Sequence, residues 1–333
     1  MQKTNRLALA VLALLGSTAA FAQSSVTLYG RVNTTVEQQK NGTAVVDGKV
    51  NAMRNNSSRI GFKGVEDLGG GLKAGFQLES GFGSDDGSGP MNFTRQSEVN
   101  LSGNFGMVRL GNFTPESYFA TADYVSMHNH DTGSSSDALY YDPVWAPTGT
   151  AAVPNKIAYR TPSFGGLTVE GGVSLGEKTV NNKNGVDLAA NYNLGALALG
   201  AGYSQLDSNK QFGLRALYTF GQFTVGGYYQ RNDDDNQLRV GGAGTRNNFR
   251  LSGMYALGAS EFHLNVGRAN SWSNRSDSAA TQYTLGYNYN LSKRTKVYTY
   301  YTRINNGGNA RYGDVSAAGN DFSSFAVGVR HNF

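Results

Sequence analysis

Catalysis needs a nucleophile, a base or a metal, and this chain is poor in all three. It has no cysteine, so no thiolate can attack or ligate. His128, His130, His263 and His331 are its four histidines. His128 and His130 stand two apart, which could begin a metal site, but the spacing supplies no third ligand. Serine is abundant, yet no arrangement in the sequence pairs one with a base. Gly69-Gly70-Gly71 lacks the Lys-Ser/Thr of a phosphate loop and reads as a tight turn. Basic residues are spread along the chain rather than clustered, which argues against a nucleic-acid face. No enzyme activity, metal or cofactor is implied. What remains is scattered charge: Arg31, Arg59, Lys63, Lys73, Arg95, Arg109 and Arg160 within alternating segments, and Glu116, Asp123, Asp131 and Asp137 within one long loop. Opposed charges along a water path can orient and select ions without making or breaking a bond.

Those charges need elements to hold them, and the dominant pattern has period two. Phe212, Leu214, Ala216, Tyr218 and Phe220 alternate with Gly213, Arg215, Leu217 and Thr219. Tyr283, Leu285, Tyr287, Tyr289 and Leu291 alternate with Thr284, Gly286, Asn288 and Asn290. Such alternation makes a strand with one apolar face; on a helix it would scatter apolar groups all round. The segments exceed the ~5–6 residues usual in soluble sheets and match the ~9–11 needed to cross a bilayer. The 44 glycines and 19 tyrosines speak against a helical protein. Charged residues make up 16%, against about 25% in soluble domains. The expected fold is all-β: a sixteen-stranded antiparallel transmembrane barrel running from 25–37 to 321–333, its second strand at 50–65 and its fourth at 91–103. An even count suits a bacterial barrel, periodicity alone also admitting fourteen or eighteen strands, and the short link Leu291-Ser292-Lys293-Arg294 suits a periplasmic turn.

Residues 1–22 read as a signal peptide: Lys3 and Arg6, an apolar run from Leu7 to Leu15, then Ala20-Phe21-Ala22. The run is too short to span lipid, which takes about 20 residues. Residues 23–333 then form one barrel domain. Residues 112–153 break the alternation, far beyond the ~15 residues of an ordinary loop. Their aromatics, including Tyr118, Phe119, Tyr140, Tyr141 and Trp145, argue for a compact segment folded into the lumen. Phe333 ends a strand whose Phe325, Val327, Val329 and His331 share its outward face, as suits a closing strand.

At this point the sequence resembles the general porins of the beta-proteobacterial outer membrane. The resemblance is carried by Ser25-Val26-Thr27-Leu28-Tyr29-Gly30-Arg31 and by the run from Ser58 to Glu79 (SRIGFKGVEDLGGGLKAGFQLE). Asn104 to Gly111, Leu291-Ser292-Lys293-Arg294-Thr295 and Arg330-His331-Asn332-Phe333 add to it. It implies an outer-membrane homotrimer in contact with lipid and lipopolysaccharide. It also implies an inward third loop and passive diffusion of small hydrophilic solutes and inorganic ions.

Facing follows from parity. Val26, Leu28 and Val32 outside put Tyr29, Arg31 and Asn33 inside; Ile60 and Phe62 outside put Arg59 and Lys63 inside; Leu72, Phe76 and Leu78 outside put Lys73, Gln77 and Glu79 inside. The fourth strand is contradictory. The resemblance implies a lumen position for Arg95, which by register sends Glu98 outside, whereas Val99 and Leu101 prefer the reverse. The expected constriction sets Arg59 and Arg95 on one wall, with Arg31, Lys63, Lys73, Arg109 and Arg160 as secondary members. The loop acids Glu116 and Asp123, followed by Asp131 and Asp137, oppose them. Asn112 stands where the family often has an arginine, and Thr94 where strongly anion-selective relatives can carry another basic residue. The expected preference for anions is therefore weak to moderate. The rival reading is a substrate-specific outer-membrane channel, which would show saturable conductance with one solute.

Overall fold

The computed structural model describes residues 25–41, 48–123, 138–144, 152–177, 183–235, 243–313 and 315–333. Among the described residues, seventeen strands form one antiparallel sheet that closes on itself. In chain order the first six are β1 (Ser25–Lys40), β2 (Lys49–Asn55), β3 (Arg59–Gly69), β4 (Leu72–Gly81), β5 (Gln96–Gly103) and β6 (Gly106–Phe113). β7 (Val153–Arg160), β8 (Leu167–Ser174), β9 (Gly185–Leu194), β10 (Leu197–Leu206), β11 (Asn209–Phe220) and β12 (Phe223–Asp234) follow. β13 (Gly244–Leu257), β14 (Ser260–Ala269), β15 (Ala280–Asn290), β16 (Thr295–Asn306) and β17 (Phe322–Asn332) complete the ring.

The wall has sixteen staves, because β2 and β3 are two halves of one. β2 pairs with the outer half of β1, from Thr34 to Lys40, and β3 with its inner half, from Ser25 to Arg31. The expected strand 50–65 is thus interrupted at Asn56, Ser57 and Ser58. Asn56 is drawn inward, where its side chain donates to the Thr35 hydroxyl at 2.9 Å, and Ser57 takes a positive φ. The expected strand 91–103 is shorter than anticipated and begins at Gln96. The leader expected over 1–22 lies outside the described residues.

The barrel is inside-out compared with a soluble core. Val26, Leu251 and Leu285 are 67%, 71% and 58% exposed on the outer face. Asn33, Gln230, Asn232 and Gln282 on the inner face are fully buried. Only a hydrocarbon solvent makes that pattern favourable. No helix among the described residues is long and apolar enough to cross a membrane; strands make the crossing.

Closure joins β1 to β17 from Arg31↔Asn332 to Lys40↔Ser323. Beyond the last strand residue, Phe333 and Gly30 exchange both backbone hydrogen bonds at 3.1 Å. Gly30 has no side chain because the Phe333 ring and the Arg59 carbonyl occupy that space; a Cβ would lie 2.6 Å from that oxygen. Gly30→Val therefore overpacks the seam. A loss of about 1–3 kcal/mol in unfolding free energy is expected from urea titration in detergent.

Candidate functional site

The predicted wall cations fall mainly into two charge clusters of different balance. The first spans β1, β3, β4 and the bend before β5. Arg95 Nε donates to Glu79 Oε1 at 2.8 Å, and Arg59 Nε lies 3.7 Å from Glu79 Oε2. Tyr29 donates to the same carboxylate at 3.0 Å and accepts from Gln77 at 2.6 Å. Lys63 Nζ stands 5.4 Å from the centre of the Tyr29 ring. Arg31 is buried and lies directly across the strand pair from Arg59. Lys73 is exposed six residues from Glu79 on β4, about 20 Å toward the periplasmic end, and does not join the cluster.

The contradiction on the fourth strand is resolved by where that strand starts. Glu98 faces inward and is buried, while Val99 and Leu101 face out, so hydrophobic parity set the register of β5. The expected outward Glu98 is corrected. Arg95 still reaches Glu79 because it occupies the bend before Gln96, free of the strand's alternation.

The second cluster is a ladder of alternating sign. Arg109 on β6 sits between Glu98 of β5 and Glu170 of β8, with its guanidinium 4.0 Å from the centre of the Phe113 ring. Arg160 on β7 continues it, donating to Glu170 at 2.8 Å and to Glu116. Two guanidiniums meet three carboxylates. Glu98 and Glu170 are the partners that sequence reasoning did not assign to Arg109 and Arg160. They stand 11 and 10 residues away from them, on the next strands, and only register brings them together.

The inward loop meets the wall at two places. Its first leg forms α1 (Glu116–Tyr118) and a π-helical turn, Phe119–Asp123. This leg packs on β9, β10 and β11. The wall there is made of glycine: a Cβ at Gly202 would lie 2.6 Å from the Ser117 carbonyl, and those at Gly200 and Gly213 would strike Ala120 and Thr121. Its return leg, residues 138–144, lies on β12 and β13. Arg246 and Asn248 each donate to the Leu139 carbonyl at 2.7 Å, and Gln230 donates to that of Tyr141 at 2.7 Å.

Glu116 is therefore a tied group as well as a loop acid, since Asn191 also donates to it at 3.1 Å. Burial lifts its carboxyl above the usual carboxylate value, against the pull of Arg160 and Arg109 and with the push of Glu170 and Asp187. The side chain of Asp123, and Asp131 and Asp137 entirely, lie outside the described residues. In a ring of sixteen staves β11 is diametrically opposite the β2–β3 stave, so the first leg faces the Arg59 wall across the lumen.

A family model described as Gram-negative porin matches residues 8–309. The chain belongs to that family. Outer membrane porin protein 32 of Delftia acidovorans is 41% identical over 190 residues, covering 53% of this chain and 50% of that protein. An outer membrane porin protein of Bordetella pertussis is 30% identical over 230 residues, covering 58% of this chain and 57% of that protein. These matches span about half the length of the curated relatives. The anion-selective porin from Comamonas acidovorans superposes with a TM-score of 0.79 at 30% identity, over 93% of this chain and 100% of that one. This porin is thus an outer-membrane β-barrel of the beta-proteobacterial type, and the resemblance read from its strand motifs holds.

Two outcomes follow from the loop geometry of this porin. Gly202→Leu removes the seat of α1, so the first leg is displaced; single-channel recording should give an altered, noisier conductance while the barrel still folds. The raised carboxyl of Glu116 takes up a proton earlier than an ordinary glutamate as pH falls. Losing that negative charge leaves the lumen more positive, so reversal potential in a KCl gradient should shift toward chloride above the ordinary carboxylate range. Glu116→Gln should show that shift at neutral pH and be flat across the window.

Proposed function

We propose that this porin is a general diffusion channel passing ions and small hydrophilic solutes, with a preference for anions set by Arg59 and Arg95. The observation that carries the reading is charge balance. Arg59 and Arg95 share one carboxylate, Glu79, with Lys63 close by. Arg109 and Arg160 are outnumbered by Glu98, Glu170 and Glu116. Excess positive charge therefore belongs to the first cluster, and Arg109 holds the wall together. At about 7 Å and an effective dielectric constant near 20, one uncompensated charge attracts an anion by about 2 kcal/mol before salt screening. That suits a weak to moderate preference. The Comamonas acidovorans relative, described as anion-selective, supports the same sign. Transport of this kind involves no catalysis.

The porin is further read as a homotrimer set in lipid and lipopolysaccharide, exported on a leader covering residues 1–22. Support for the oligomer comes from the outer face. Tyr218, Phe220, Phe223, Tyr255, Phe262 and Tyr287 form a continuous aromatic run across β11 to β15. Such a girdle marks wall in contact with lipid headgroups. The outward residues on the periplasmic half of β1 and on β4 and β5 include Val26, Leu28, Val32, Ala74, Val99 and Leu101, with Phe62 of β3 and Phe76 of β4 as separate aromatics among them. That is the face offered to a neighbouring barrel.

Reversal potential across a planar bilayer in a KCl gradient tests the selectivity. Arg95→Ala and Arg59→Ala should each move it away from the chloride value, with little change in folding. Arg109→Ala should instead destabilise the barrel by about 3–5 kcal/mol, because it takes the cation away from buried Glu98 and leaves Glu170 to Arg160 alone. An unchanged potential in Arg95→Ala and Arg59→Ala would remove them from control of the pore.

A further inference from the structure

We propose that the periplasmic mouth of the barrel holds a second anion site, built on Lys296 and Arg330, that takes a phosphate group. It deepens the diffusion reading and rests on it for its supply of anions, since it lies on the same wall as the Arg59 cluster. The observation is a recess of about 450 Å³ between the inner wall and the β15–β16 turn. Lys293, Arg294, Lys296 and Arg330 line it, with Glu261 as the carboxylate among the lining residues.

Four cations thus line the recess with one acid, and that acid is already hydrogen-bonded. Glu261 accepts from Asn288 and Asn290 at 2.8 Å each and from Lys296 at 3.1 Å. Its single charge offsets that of Lys296, and Lys293 and Arg294 on the exposed turn keep the lining of the recess positive. Inner-face parity fixes the geometry. Lys296 is the direct cross-strand neighbour of Arg330 on β16 and β17, and both belong to the inward set that continues as Tyr298 and Gly328. Two adjacent cations on rigid strands, with the Ser292 side chain at the rim, suit an anion with several acceptor oxygens better than a halide.

The recess also continues the cationic wall. Asn332, two residues beyond Arg330 on the same face, pairs with Arg31, and Arg31 pairs with Arg59. Cations therefore follow one another around the inner wall through β16, β17, β1 and β3, from the mouth to the Glu79 cluster. An anion drawn past Arg59 meets a further binding step before it leaves. The same chemistry could come from a free phosphate or from a lipid headgroup, because Lys293 and Arg294 stand exposed on the membrane-edge turn.

The test is block of chloride conductance by inorganic phosphate, with the full-length porin in planar bilayers of phosphatidylcholine. The half-blocking concentration should rise about tenfold in Lys296→Ala/Arg330→Ala, equivalent to about 1.4 kcal/mol. Arg294→Ser, on the exposed turn where folding is indifferent to it, should raise it about threefold, a fraction of that same energy. A repeat in phosphatidylglycerol separates the sources. Wild-type block weakened to the level of the double variant assigns the site to a lipid headgroup, and unchanged block assigns it to a free phosphate. Wild-type block in both variants, or no block at all, overturns the site. Reversal potential in KCl alone reads the Arg59 and Arg95 preference separately, so either reading can fail without the other.

Discussion

Everything in this barrel depends on there being no free strand edge. In hydrocarbon an unpaired backbone N–H or C=O costs several kcal/mol, with no water to relieve it. The seam between β1 and β17 removes the last edge, and the exchange between Phe333 and Gly30 extends it to the end of the chain. Once the ring is closed, each strand has a lipid side and a lumen side, and alternation becomes an instruction for both. Apolar residues can then be exposed without cost, because the solvent outside is lipid. The cost moves to the lumen, where buried polar groups must find partners.

That requirement splits the lumen charges by role. Arg109 is nearly enclosed, so it is stable only between Glu98 and Glu170, and it has little field left to offer a passing ion. Arg95 and Arg59 keep more contact with water and share one acid, so part of their charge remains available. Counting arginines does not describe such a wall. The ratio of guanidiniums to carboxylates within hydrogen-bond reach does, and it differs between two clusters a few strands apart.

How far the sequence exposed this can be judged at particular residues. The facing of Tyr29, Arg31, Arg59, Lys63 and Glu79 followed from period two, because lipid outside enforces the alternation strictly. Arg330 and Lys296 carried the same signal: the outward faces of Val329, Val327 and Phe325 put Arg330 inside by parity. The fourth strand misled because its start was drawn too early, which placed Arg95 inside an alternation that begins at Gln96. The break at Asn56 left no sign in the hydrophobic pattern, since a polar residue turning inward looks like any other lumen position. Pairing partners were hidden for a different reason. Glu170 meets Arg109 from 61 residues away, and only the barrel's register makes them neighbours.

The inward loop shows the same limit from the other side. Its length and aromatics announced a compact segment, but the feature that seats it is an absence: glycine at 200, 202 and 213 on the inner face of β10 and β11. A glycine in a barrel strand reads as a gap in alternation until the backbone that fills it is known. The first leg is pressed into that bare wall, and the return leg is held by Arg246, Asn248 and Gln230. The cations from Lys296 round to Arg95 line the wall from β16 through β17, β1 and β3 to the start of β5. On the proposed reading, selectivity depends on the loop's seat as much as on the arginines, because the seat sets how far from that wall an ion can pass, and Coulomb energy falls with that distance.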